Sequence, residues 1–247
     1  MARIVSVTNQ KGGVGKTTTS INLAASLVTK GKRILLVDMD PQGNASVGVG
    51  IDIEEASNTI YELLVDNVEV DDVIVTAECG VDVVAANGDL AGAQKALTDV
   101  KDKYDYIFID CPPALNVLTI NALVASDSVM IPMQCEYFAL EGLSALISTV
   151  RKIRETLNPK LKIEGLLRTM FDGRNSLSNE VSKQLQTHFG DKVYSTIIPR
   201  NVRLAEAPSY GEPVISYDPE SKGAKAYMAL ADEVLQRSAA NSSVTTA

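Results

Sequence analysis

The residues best equipped for chemistry stand together near the start of the chain, from Gln10 to Thr18: Gln10, Lys11, Gly12, Gly13, Val14, Gly15, Lys16, Thr17 and Thr18. The spacing follows G-x-x-x-x-G-K-[ST], except that Gln10 stands where the first glycine belongs and an additional lysine, Lys11, follows it. Glycines at these places let backbone N–H groups turn toward a polyphosphate. Lys16 brings positive charge to the β- and γ-phosphates, and the Thr17 hydroxyl can hold Mg²⁺. A helix opening at this loop adds the partial positive charge of its N-terminus.

Two further segments carry carboxylates to the places such a loop needs them. Tyr106–Asp110 is an apolar strand ending in Asp110, the Walker B pattern, and that carboxylate is expected to hold Mg²⁺ directly or through a water. Val37–Asn44 contains Asp38 and Asp40 at i and i+2, leaving a strand into a loop shaped by Pro41 and Gly43. Transfer of a phosphoryl group to water needs a group that aligns the nucleophile with the leaving group. Asp40, beyond the strand end, is the better placed of the two. Asp38 is expected to orient Thr17, the waters of the metal, or the loop itself. Lys11 has two readings on spacing alone: a solvated charge at the mouth of the loop, or a charge that reaches the phosphates of a second molecule, as an arginine finger does.

These residues need rigid strands to hold them. Short apolar, β-branched runs are expected to form strands at Arg3–Thr8, Arg33–Asp38, Val81–Ala85, Tyr106–Asp110, Ser128–Pro132, Ile163–Arg168 and near Ser195–Ile198. Helical patterns fill the gaps at Thr17–Thr29, Ile60–Val65, Ala96–Lys103, Val117–Ala125, Leu140–Leu157, Ser178–Phe189 and Gly223–Arg237. Strands apolar on both faces, alternating with helices, predict an α/β fold: a mostly parallel, twisted sheet with helices on both faces. Ligands in such sheets bind at the carboxyl ends of the strands, where the loop and the three aspartates fall. Residues 1–237 are expected to form a single domain, followed by a small, polar tail at 238–247 that frays.

Composition narrows the classes of function. The chain has 247 residues, 45% hydrophobic and 22% charged, with a formal net charge of −8. No apolar run reaches the ~18 residues of a membrane span, and the protein is expected in the cytoplasm. Cys79, Cys111 and Cys135 lack any metal spacing and are expected to be reduced structural thiols. His188, the single histidine, reads as a solvated helix residue. Charge is uneven: residues 1–150 hold 9 Lys and Arg against 20 Asp and Glu, whereas residues 151–247 hold 14 against 11. The excess is either a set of solvated helix faces or a local patch able to contact phosphates.

Four segments, Lys11–Thr18, Asp38–Asn44, Tyr106–Pro113 and Ile198–Ser209, resemble the ParA/Soj partitioning ATPases of chromosomes or plasmids. That family belongs to the deviant-Walker-A group of phosphate-loop NTPases, with MinD and the nitrogenase iron protein. The likeness runs from about Ala2 to Leu235. It implies ATP and Mg²⁺ as cofactors, with Lys11, Lys16 and Asp40 catalytic and Lys11 crossing a dimer interface. ATP would lie on residues 11–18 and beside Pro199, Arg200 and Asn201, and Mg²⁺ on Thr17, Asp38 and Asp110. The resemblance further implies an ATP-bound sandwich homodimer that binds double-stranded DNA without sequence preference, through Arg174 and Arg203, and associates with the nucleoid. A ParB-type centromere-binding partner would stimulate hydrolysis. With it, the basic region of Arg168, Arg174, Lys183, Lys192, Arg200, Arg203, Lys222 and Lys225 favours the patch. A MinD-type membrane-surface switch is the alternative, but it needs a basic amphipathic C-terminal helix, and Ser238–Ala247 has none. One departure stands out: relatives carry an extra stretch rich in Glu, Arg and Leu where Gln94 and Lys95 here abut.

Overall fold

A computed structural model describes residues 2–53, 73–85, 97 and 100–244. The expected helix at Ile60–Val65, residues 96, 98 and 99 of that at Ala96–Lys103 and the Gln94–Lys95 junction lie outside the described residues.

Among the described residues, eight strands form one sheet in the order β3-β4-β2-β5-β1-β6-β7-β8. They are β1 (Arg3–Val7), β2 (Ile34–Asp38), β3 (Ile74–Thr76), β4 (Asp82–Val84), β5 (Tyr106–Asp110), β6 (Ser128–Gln134), β7 (Lys162–Phe171) and β8 (Val193–Pro199). All neighbours are parallel except β3 and β4. The parallel sheet matches the expectation. The antiparallel edge strand β3 does not appear in the sequence reading: three residues are too few for periodicity, and the hairpin depends on a tight turn at Gly80, whose φ of 81° suits glycine.

The described helices are α1 (Lys16–Thr29), a single turn α2 (Asn44–Val47), α3 (Val117–Ala125), α4 (Ala139–Thr156), α5 (Ser176–Phe189), the short α6 (Val202–Glu206) and α7 (Val214–Tyr217), and α8 (Lys222–Val244). The period-two pattern of the strands assigns their side chains to opposite faces. Val5, Val7, Leu36 and Phe108 pack with Ile21 and Leu27 of α1 and Tyr227 and Leu230 of α8. Ile4, Leu35, Ile107 and Ile109 turn the other way, toward Leu118 and Ala122 of α3. Farther along that face, Val129 and Ile131 meet Leu143, Leu146 and Val150 of α4 and Val181 and Leu185 of α5. Burial on both faces is why these strands read as continuous apolar runs.

The last helix continues to Val244, past Arg237 where periodicity ends it. Arg3 and the Tyr106 hydroxyl both donate to Ser238 Oγ, at 3.0 and 2.7 Å, and so tie that part of the helix to β1 and β5. Phe108 is fully buried at the centre of the sheet. Phe108→Ala is expected to cost about 3–5 kcal/mol, read as a lower urea midpoint with little change in slope.

Candidate active site

The loop between β1 and α1 sits over the carboxyl edge of the central strands. Gly15 immediately precedes α1 with φ 84°, and Gly13 has φ 70°, a region that side-chain-bearing residues seldom enter. Asn9 anchors the start of the loop: its Nδ2 donates to Pro132 O at 2.8 Å, and its Oδ1 accepts from the Lys11 N–H at 3.1 Å. Lys16 is buried, and its Nζ donates to Lys11 O at 3.3 Å. Desolvation lowers its pKa, while Asp110, Cys111 and Asp40 act in the opposite sense. A buried ammonium in the first turn of α1, beside the glycine-rich loop, is arranged for a phosphate.

Parallel pairing of β2 with β5 sets Asp38 opposite Asp110, and both are sealed from solvent. Asp110 accepts from Thr17 Oγ1 at 2.8 Å and from Ser20 Oγ at 2.7 Å. Burial foremost, and Asp38 next, push its pKa up to about 7. A carboxylate so placed is short of a cation. With the Thr17 hydroxyl it makes an oxygen donor pair suited to Mg²⁺, which takes few protein ligands and completes its shell with water and phosphate. Ser20 is absent from the sequence reading, although its position three residues after Thr17 puts it on the same helix face.

Asp38 is held by its own loop. Its Oδ2 accepts from the Ala45 and Ser46 N–H groups and the Ser46 hydroxyl, at 3.0, 2.9 and 2.9 Å, and its Oδ1 from the Asp40 N–H at 3.1 Å. Of the roles left open for it, orientation of the loop has direct geometric support. Burial raises its pKa, and the Ser46 donors oppose that shift. Asp40 follows at the edge of the site, 9% exposed, with Oδ1 taking the Gln42 N–H at 3.1 Å. The loop closes at Gly43 (φ 63°), where an added Cβ would collide with Ile53 Cδ1.

Beside the loop lies a cavity of about 320 Å³. Gly15, Thr18 and Thr169 line it on the loop side, and Met170, Pro199, Arg200, Asn201, Val202, Leu204 and Tyr227 enclose it. Its size and apolar walls suit a purine ring. Pro199, Arg200 and Asn201 line this cavity together with Gly15 and Thr18 of the loop, and Asn201 Oδ1 also caps α6 by accepting from the Arg203 N–H at 2.9 Å. Met170, with φ 47°, is the one residue other than glycine at positive φ among the described residues. Such strain collects at ligand sites, and no residue pattern announces it.

Lys11 does not line this cavity. Its ammonium is half-exposed and pairs with an equally exposed Glu136, just beyond β6. The next residues, Tyr137 and Phe138, are 73% and 71% exposed and pack edge to face on each other. Arg174 and Arg203 are not part of the phosphate site. Arg174 grips Asp172 with two hydrogen bonds of 2.9 and 2.7 Å, and Arg203 pairs with Glu206 at 2.8 Å and Asp218 at 3.2 Å. Arg168 corrects the expectation of a surface cation: it is buried and donates to Ser182 Oγ, Tyr194 O and Ser195 O. The three thiols are free. Burial raises all three pKa values, that of Cys111 to about 12 and that of Cys135 to about 11.

A family model described as an AAA domain matches residues 2–163. The sporulation initiation inhibitor protein Soj of Bacillus subtilis is 54% identical over 249 residues, covering 95% of this chain and 98% of its own. The chain belongs to the ParA/Soj family of chromosome-partitioning ATPases. Consistent with that, the chromosome partitioning protein ParA of Caulobacter vibrioides is 48% identical over 252 residues, covering 95% of this chain and 94% of its own. Among solved structures, cobyrinic acid a,c-diamide synthase from Mycobacterium smegmatis with bound ADP and magnesium matches with a TM-score of 0.82 at 34% identity, over 96% of this chain and 95% of that one. As a ParA/Soj protein the chain is an ATP-hydrolysing enzyme of the phosphate-loop fold.

Asp110→Asn removes the buried charge but keeps the shape of the site. It is expected to weaken Mg²⁺-dependent ATP binding at least tenfold in calorimetry while leaving thermal stability without ligand equal or higher. Unchanged dependence on Mg²⁺ would remove Asp110 from the metal site.

Proposed function

We propose that this ParA/Soj chain separates DNA copies as an ATP-gated dimer, in the cytoplasm and on the nucleoid. The observation that carries the reading is Lys11: a half-exposed lysine at the mouth of the loop, held by one exposed ion pair to Glu136, which is followed by two exposed aromatic rings. Exposed pairs of this kind hold weakly, at about 0–1 kcal/mol, so a phosphate on a facing protomer competes for Lys11 at little cost. Tyr137 and Phe138 supply apolar area of the kind that anchors interfaces.

ATP and Mg²⁺ are the cofactors. The loop residues Gly12, Gly13, Val14, Gly15 and Thr18 cradle the phosphates, Lys16 neutralises them, and residues 199–201 border the base. Thr17 and Asp110 hold Mg²⁺, with Asp38 behind them; the ion would offset charge on the phosphate oxygens during transfer. Asp40 aligns the attacking water and accepts its proton. Lys11 of the facing protomer completes the charge around the transferred group, so turnover of the isolated chain is slow. The dimer places two copies of the Arg174 and Arg203 edge side by side on DNA phosphates, and a ParB-type partner stimulates hydrolysis and release. Chromosome-partitioning relatives support the DNA-directed reading. The membrane-surface alternative gains nothing from α8, whose residues from Ser238 to Val244 include no Lys or Arg.

Co-sedimentation with double-stranded DNA at physiological salt tests the reading. Retention is expected with ATP and not with ADP or without nucleotide. Asp40→Ala should prolong retention by blocking hydrolysis, and Arg203→Glu should abolish it while leaving ATP binding intact. Retention indifferent to nucleotide would refute the switch.

A further inference from the structure

Cations near the carboxyl ends of the strands are mostly paired: Lys11 with Glu136, Arg174 with Asp172, Arg203 with Glu206 and Asp218, and Lys225 with Glu220. The opposite pole also holds paired cations, Arg3 with Glu164, Arg33 with Asp105 and Lys101 with Asp127, but one strip on it differs. Arg151, Lys152 and Arg154 lie in the last turns of α4, Lys160 in the turn that follows, and Lys162 opens β7. All five are exposed, and Glu155 is the one carboxylate between residues 151 and 162. None of the five has an ion-pair partner among the described residues.

This strip is built on fixed backbone. Val150 and Ile153 bury the inner face of α4, which leaves Arg151 and Arg154 adjacent on the outer one. Asn158 pins the turn: its Nδ2 donates to Leu123 O, Val124 O and Ser126 O at 3.0, 3.1 and 2.7 Å. The N–H groups of Leu157 and Asn158 both donate to Ile153 O, and that of Lys162 to Asp127 O. The dipole of α4 favours cations in its final turn, but that influence fades beyond the terminus and gives no reason for Lys160 or Lys162. With 18 residues, α4 spans ~27 Å, so the strip stands about that far from Glu136 and the loop mouth.

We propose that this strip is a second contact surface for the DNA backbone, engaged whatever nucleotide the loop holds. A row of unpaired, pre-positioned cations complements a duplex, which presents a phosphate charge about every 1.7 Å of axis. It lacks what a bilayer surface needs, since Leu157 is the only large apolar side chain exposed within the stretch. Binding through three to five phosphates would fall about 40- to 500-fold between 50 and 200 mM salt. The strip therefore acts as a weak tether, visible at low salt and silent in the nucleotide-gated assay at physiological salt.

The test is fluorescence anisotropy of a short labelled duplex with the ADP-bound full-length protein, titrated across that salt range. Wild type is expected to bind at low salt. Lys160→Gln with Lys162→Gln should lower the slope of log affinity against log salt by about 2, and Arg151→Gln with Arg154→Gln should do the same, at about 0.9 per lost contact. Calorimetric nucleotide binding on the same samples reports an intact fold. Absence of binding by wild type at low salt, or unchanged slopes in both variants, would overturn the proposal. So would strip-dependent binding to phosphatidylserine vesicles without binding to the duplex. Failure of ATP to strengthen DNA binding, with the slope changes preserved, would count against the gated dimer and leave the strip standing.

Discussion

Asp38 and Asp110 lie opposite one another at the ends of β2 and β5, both shut off from solvent. Two buried carboxylates side by side repel, and each resists ionisation. Three things answer that repulsion: hydroxyl and N–H donors from Thr17, Ser20, Ala45 and Ser46, the ammonium of Lys16, and the divalent cation the site is shaped to receive. Asp38 draws in the turn that carries Asp40, and Asp110 draws in the first turn of α1. The positions of Asp40, proposed to align the nucleophile, of the proposed metal ligands and of the phosphate loop thus follow from one unfavourable pair in the middle of the sheet.

A parallel sheet makes such a pair possible. Its strands all deliver their carboxyl ends to one edge, and helices on both faces keep that edge rigid. The same edge carries β6, whose continuation offers Glu136 to Lys11. The charge proposed to act within the chain is therefore buried and heavily bonded, whereas the charge proposed to act between chains is exposed and held by one partner. That contrast is what an assembly-dependent enzyme requires: chemistry pre-formed within the chain, and its last charge available only to a neighbour.

Much of this was legible in the residues. Gly13 and Gly15 mark the loop because positive φ requires glycine, and Asp38, Asp40 and Asp110 stand where apolar runs end. Sequence patterns identify a strand's end but not its neighbours, so the Asp38–Asp110 register awaited the structure. Ser20 was hidden among the polar residues of α1. Thr169, Met170 and Tyr227 reach the cavity beside the loop from β7 and α8, far along the chain, and carry no motif. Arg168 misled because its partners are two carbonyls of β8 and a serine of α5, contacts that no local pattern encodes. Charge counting found the basic half of the chain but did not separate paired cations from the unpaired strip at the end of α4.

The central claim is that Lys11 serves a neighbour's nucleotide rather than its own. Sedimentation velocity of Asp40→Ala, in which hydrolysis is blocked, and of the double variant Lys11→Ala with Asp40→Ala, each with ATP and Mg²⁺, tests it most directly. The account predicts a dimer for the Asp40→Ala protein and a monomer that still binds ATP once Lys11 is also removed. A dimer of equal affinity in both would contradict it.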